Sequence, residues 1–132
     1  MRGWLGICLL IYAAASLLHH VHNAEYLAEY PNMPAALSPA KVYLAWAIEM
    51  AVGLGGYVLL RLGHCRLGLA LIALSALAGF AGLDHYVIAP FTAHTATMHL
   101  TIGIEVAAAA VLLLVVGLEL SFRRAAGGST HR

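Results

Sequence analysis

The sequence predicts an all-α integral membrane protein: an up-down bundle of four transmembrane helices with both termini in the cytoplasm. The first observation is composition. Of 132 residues, 62% are hydrophobic and 10% charged, whereas about a quarter of residues are charged in an ordinary soluble domain. The second is length. Four apolar runs, roughly Trp4 to Leu18, Val42 to Leu60, Leu67 to Leu83 and Ile102 to Leu120, reach or approach the ~20 residues that cross a ~30 Å hydrocarbon core. The third is charge. Arg2, Arg61, Arg66, Arg123, Arg124 and Arg132 fall on one side of these runs, and Lys41 alone on the other. The positive-inside rule places the arginines in the cytoplasm and the chain in a plasma (inner) membrane.

Span one is expected from about Gly3 past His22, surfacing near Glu29. Arg2, the run from Trp4 and the Ala13-Ala14-Ala15 triplet fit a signal peptide. The apolar character continues through Leu17 and Leu18, however, so the run reads as a retained span. Helical spacing puts Tyr12, Ser16, His19, His22 and Tyr26 on one stripe. The connection "EYPNMPAALSP" follows, and Ser38-Pro39 reads as an N-cap with Pro at N1 opening span two.

Span two carries Ala45, Glu49, Gly53 and Gly56 along one face, and span three carries Ser75, Gly79, Gly82 and Tyr86. Small residues at this spacing let membrane helices approach closely. The short turn "RLGHCRLG" makes spans two and three antiparallel neighbours. Pro90 ends the next connection, and span four is expected to begin near Phe91 to Thr92. Residues 1–122 then form a single transmembrane domain, and residues 123–132 a flexible cytoplasmic tail. Cys8 and Cys65 face a reducing compartment, which disfavours a disulfide. No basic cluster with interleaved aromatics suggests nucleic acid; the partners are the lipid bilayer and, for a bundle this small, a second copy or a larger membrane complex.

The topology gathers titratable residues in one layer. His19, His20, His22 and Glu25 end span one, Asp84 and His85 end span three, and His94 and His99 begin span four. Six of eight histidines therefore converge at the outer side. Glu49 lies ~15 Å inside span two at ~1.5 Å per residue, and Glu105 about as deep. Intramembrane carboxylates cost a few kcal/mol and face a bundle interior with a partner. No Lys or Arg lies within the spans, so histidine, tyrosine, a proton or a metal must compensate these two.

Imidazole and carboxylate suit zinc, iron or copper, and helical bundles build such sites from inward His and Glu. The expected ligands are His19, His22, Glu25, His85, His94 and His99, with Asp84 hydrogen-bonded behind a ligating histidine and Glu49 as deeper ligand or proton acceptor. His94 and His99 lie about 140° apart on a regular helix, so either His99 reaches a neighbouring helix or His94 occupies an irregular first turn. Haem is a second cofactor the pattern accommodates, held by two histidines from different spans. The function expected is a metal-binding outward-facing pocket with a redox, hydrolytic or metal-handling role. The alternatives are an accessory or proton-relay subunit, and a metal-free acid/base enzyme acting on a lipid-soluble substrate. His22-Asn23-Ala24-Glu25 resembles the opening of a His-x-x-Glu-Glu family of small membrane proteins. Tyr26 replaces the second glutamate, and five residues imply no assignment.

Overall fold

A computed structural model describes residues 2–128. Among these residues every regular element is helical. Helix α1 (Arg2–Glu25) is followed by a 3-10 turn (Leu27–Glu29), α2 (Pro39–Arg61) and α3 (Cys65–Ala78). A 3-10 segment (Gly79–Asp84) joins α3 to the short α4 (His85–Ile88), and a last 3-10 turn (Phe91–Ala93) precedes α5 (Ala96–Gly128). Among the described residues, four helical stretches are long and apolar enough to cross a membrane: Gly3–Glu25, Pro39–Arg61, Cys65–Ile88 and Ala96–Arg123. This is the make-up of a multi-pass membrane protein.

Local chemistry sets the boundaries. Ser38 is extended, and its carbonyl accepts from Lys41 N and Val42 N at 2.9 and 3.1 Å, so α2 starts at Pro39 as the sequence predicts. Helix α2 ends in a Schellman arrangement: Gly63 N–H bonds to Leu60 O and His64 N–H to Leu59 O. Gly63 has φ +95°, a conformation that glycine adopts freely. Helix α1 stops at Glu25, short of the expected Glu29, because the chain tightens into the 3-10 turn.

Helix α5 starts at Ala96 instead of near Phe91. Thr95 caps it, with Oγ1 accepting from Met98 N at 3.3 Å, while His94 before it is extended. Its far end continues through Gly128, into the stretch expected to be a flexible tail; residues 129–132 lie outside the described residues.

The helices close a ring in which α1 touches α2 and α5, and α3 touches the same two. Neighbours run antiparallel: along α1, Gly6 meets Tyr57, Leu9 meets Gly53 and Tyr12 meets Glu49. The core stacks Leu5, Leu9 and Tyr12 against Met50, Ile72, Leu112 and neighbours. Large apolar side chains such as Trp4, Leu10 and Leu114 point outward, as lipid contact requires.

Packing is tightest between α2 and α3 near their connecting turn. A Cβ on Gly56 would lie 2.7 Å from Gly68 O and 2.9 Å from Ile72 N, and one on Gly68 would lie 2.7 Å from Gly56 O. These are backbone atoms, so neither glycine can gain a side chain without separating the helices. Gly56→Val is expected to lower the unfolding free energy in micelles by about 2 kcal/mol through overpacking. Gly55→Ala, whose Cβ would meet nothing within 4 Å, should hold or raise it. Equal melting temperatures for the two variants would contradict this packing.

Candidate functional site

Helix α1 presents Tyr12, Ser16, His19, His20 and Asn23 to the interior, because offsets of four, seven, eight and eleven residues fall near one face. Opposite stand Glu49 of α2 and Glu105 of α5. Glu105 is fully buried, at 1% exposure. Its Oε2 lies 3.7 Å from His19 Nε2, and its Oε1 lies 3.6 Å from His20 Nδ1. Two adjacent histidines thus reach one carboxylate, each at a different oxygen.

Glu49 is held from α1. Tyr12 and Ser16 both donate to its Oε1, Ser16 Oγ at 3.1 Å. Tyr12 Oη also lies 2.8 Å from Ser75 O, and Ser75 Oγ donates to Glu49 O at 3.0 Å. Tyr12 has one hydroxyl hydrogen for two acceptors, the Ser75 carbonyl and the Glu49 carboxyl. A proton on Glu49 would resolve this count, with Glu49 donating to Tyr12 and Tyr12 to Ser75 O. His20 Nδ1, the nitrogen 3.6 Å from Glu105, lies 2.9 Å from Ser16 O and 3.3 Å from Ser16 Oγ. It donates to the carbonyl, so ligation by His20 requires this hydrogen to leave or the ring to turn and present Nε2.

Room for these groups comes from span three. A Cβ on Gly79 would lie 2.6 Å from Tyr12 Oη, and one on Gly82 would lie 3.1 Å from Glu105 Oε2. The 3-10 geometry of Gly79–Asp84 also turns His85 inward, to 6% exposure, and leaves Asp84 outside. Asn23 Nδ2 donates to His85 Nε2 at 3.2 Å, so His85 carries its hydrogen on Nδ1. Three polar atoms on these side chains lack a hydrogen-bond partner although buried: Glu105 Oε1, Asn23 Oδ1 and His85 Nδ1. All three residues line one cavity of about 530 Å³, together with His19, His20 and Glu49.

Among the described residues, one group of three metal-ligating side chains converges. His20, Glu49 and Glu105 offer ligand atoms that lie within 4.8 Å of one another. They come from three helices, and no Lys or Arg is among the residues lining the cavity. Glu119, the other buried carboxylate among the described residues, is a contrast: it pairs with Arg123 one turn along α5.

The expected site residues separate into groups. Glu49 belongs to the converging group, and His19 and His85 line the same cavity. His22 instead meets Tyr30 Oη at 2.9 Å through Nδ1. Glu25 is exposed and accepts from Tyr43 at 2.6 Å. Asp84 is exposed and lies outside the residues lining the cavity. His94 lies in the irregular segment before α5, with its ring 5.9 Å from that of His99. His99 stacks on Phe91 at 3.8 Å and bonds to Tyr86 Oη at 2.9 Å. These outer histidines are knit into an aromatic cluster and stay outside the converging group.

His20 and Glu105 complete that group without having been singled out as ligands. The signals were present: His20 lies four residues after Ser16, and Glu105 four after Thr101, each on the inward stripe. Tyr30 is buried over the histidines, with its ring 4.8 Å from His85. Burial pushes its phenol up to about 12, so it remains a hydrogen-bond donor to His22. No family model, curated protein or solved structure matches the chain.

Proposed function

We propose that this chain is an inner-membrane protein with both termini in the cytoplasm, whose bundle interior binds a divalent transition metal through His20, Glu49 and Glu105. The observation that carries this reading is the convergence of two carboxylates and an imidazole from three helices with no basic side chain beside them. A dication would offset both negative charges at once, and nitrogen and oxygen donors suit zinc, iron or copper. His19 lies 3.7 Å from Glu105 Oε2 and would orient that carboxylate. The cavity side of the group leaves space for a further ligand, the condition for hydrolytic or redox chemistry. A metal ion is preferred to haem because Tyr30 and Tyr86 pack 4.8 and 5.1 Å from His85 and His94, filling the flanks a macrocycle would need.

A second reading is favoured by the hydrogen-bond count at Tyr12. Glu49 bearing a proton, held by Tyr12 and Ser16, is arranged as a general acid acting without metal.

Zinc titration in detergent distinguishes them. His20→Ala, Glu49→Gln and Glu105→Gln are each expected to weaken binding at least about tenfold, whereas His99→Ala leaves it unchanged. Binding requires a free imidazole lone pair and ionised carboxylates, so acidification weakens it and proton release accompanies loading. Equal affinity in all four variants would defeat the metal reading. The orientation has its own test. A cysteine placed at Ala35, in the exposed loop between α1 and α2, should react with an impermeant maleimide in intact cells. Reaction only after lysis would reverse the topology.

A further inference from the structure

The cavity that holds Glu49 and Glu105 opens sideways. Its rim is Ala45 and Ile48 on α2 with Leu74, Ala78 and Ala81 on span three, all exposed, Ile48 at 57% and Leu74 at 56%. Glu49 lies ten residues from the start of α2 and twelve from its end, so the opening sits ~15–18 Å from either end, at mid-bilayer depth. A gap with an apolar rim at that depth faces hydrocarbon. The tight contact of Gly56 with Gly68 lies nearer the α2–α3 turn, and the helices part above it. The floor is polar, and its buried atoms without partners are two acceptors, Glu105 Oε1 and Asn23 Oδ1, and the His85 Nδ1 donor.

We propose that this gap admits a membrane-soluble molecule bearing a hydroxyl group, an aliphatic alcohol or a phenol, with its hydroxyl on the polar floor and its apolar body between α2 and α3. This names a ligand class for the same cavity as the metal reading and rests on that reading only for the placement of the polar floor. A hydroxyl both donates and accepts, so one group satisfies a carboxylate or amide oxygen together with the imidazole N–H. A phosphodiester headgroup offers acceptors only and would leave Glu105 Oε1 and Asn23 Oδ1 without a donor. An ammonium could meet the carboxylates but leaves His85 Nδ1–H without an acceptor. The volume of about 530 Å³ lies in the range of sites for compact organic ligands, ~300–1,000 Å³. An apolar route with a few convergent polar atoms is the usual construction of such sites.

The test uses the full chain in phosphatidylcholine nanodiscs and a dodecanol carrying a diazirine, with crosslinks mapped by mass spectrometry. Labelling is expected on residues 45–52 and 74–81. Unlabelled 1-dodecanol or 4-nonylphenol should compete, whichever source is preferred competing better. The methyl ether 1-methoxydodecane, which lacks the donor, should compete about tenfold less well. Ala78→Trp should abolish labelling while metal content and melting temperature stay at the wild-type level. Ala45→Leu, on the opposite rim, serves if the tryptophan variant does not fold. Uniform labelling of lipid-facing residues, equal competition by the ether, or undiminished labelling in a folded rim variant would each overturn the proposal. Loss of metal in the wild type with the alcohol still bound would sink the metal reading alone. Metal retained with no specific labelling would sink this one alone.

Discussion

Two carboxylates in the middle of a membrane bundle, with no lysine or arginine beside them, are the constraint around which this structure is organised. Each ionised carboxylate at a helix centre costs a few kcal/mol even by insertion scales. The chain responds by surrounding Glu49 and Glu105 with hydroxyl and imidazole groups from the facing helix. Tyr12, Ser16, His19 and His20 all come from α1, and all lie within one stripe. Glycines on span three stand where any side chain would displace Tyr12 or Glu105. Glu119 shows the cheaper solution available near a helix end, an ion pair with Arg123. That solution is not used at mid-depth. The polar interior is retained at a cost in stability, which the proposed cation would offset.

The same residues explain the unequal packing of the two ends. Near the Leu62–His64 turn, α2 and α3 meet backbone to backbone through Gly56 and Gly68, beside the apolar cluster of Leu60, Leu69 and Leu112. Towards the other end, bulky polar groups replace glycine contacts and the cavity opens between the helices. Above it, the connection after α1 folds back so that Tyr30 covers His22 and His85. Asn32, at φ 56°, bonds to Ile88 O at 2.9 Å and ties that connection to the end of span three. A closed top and a lateral gap together make the bilayer the nearest source of a ligand.

Much of this was legible in the sequence. The four apolar runs and the Ser38-Pro39 start follow from length and capping, and the structure agrees with each. The histidine layer was legible as a layer only. Which members face the carboxylates depends on helix phase, and phase was altered locally. The 3-10 segment advances ~120° per residue where an α-helix advances ~100°. Over Gly79–Asp84 that accumulates to roughly 120°, enough to send Asp84 out and His85 in. His20 escaped because the expected stripe on span one ran through His19 and His22; Glu105 sits between His19 and His20 and meets both. Tyr30 lies in a proline-containing connection with no period to read.

The most direct measurement is the metal content of tag-free protein purified in detergent, before and after incubation with zinc, iron or copper and removal of excess. The proposed site predicts about one equivalent of a single transition metal per chain, as expected for one three-ligand group. No metal under any of these conditions would contradict the central claim. Glu49 and Glu105 would then be compensated by protons and hydrogen bonds alone.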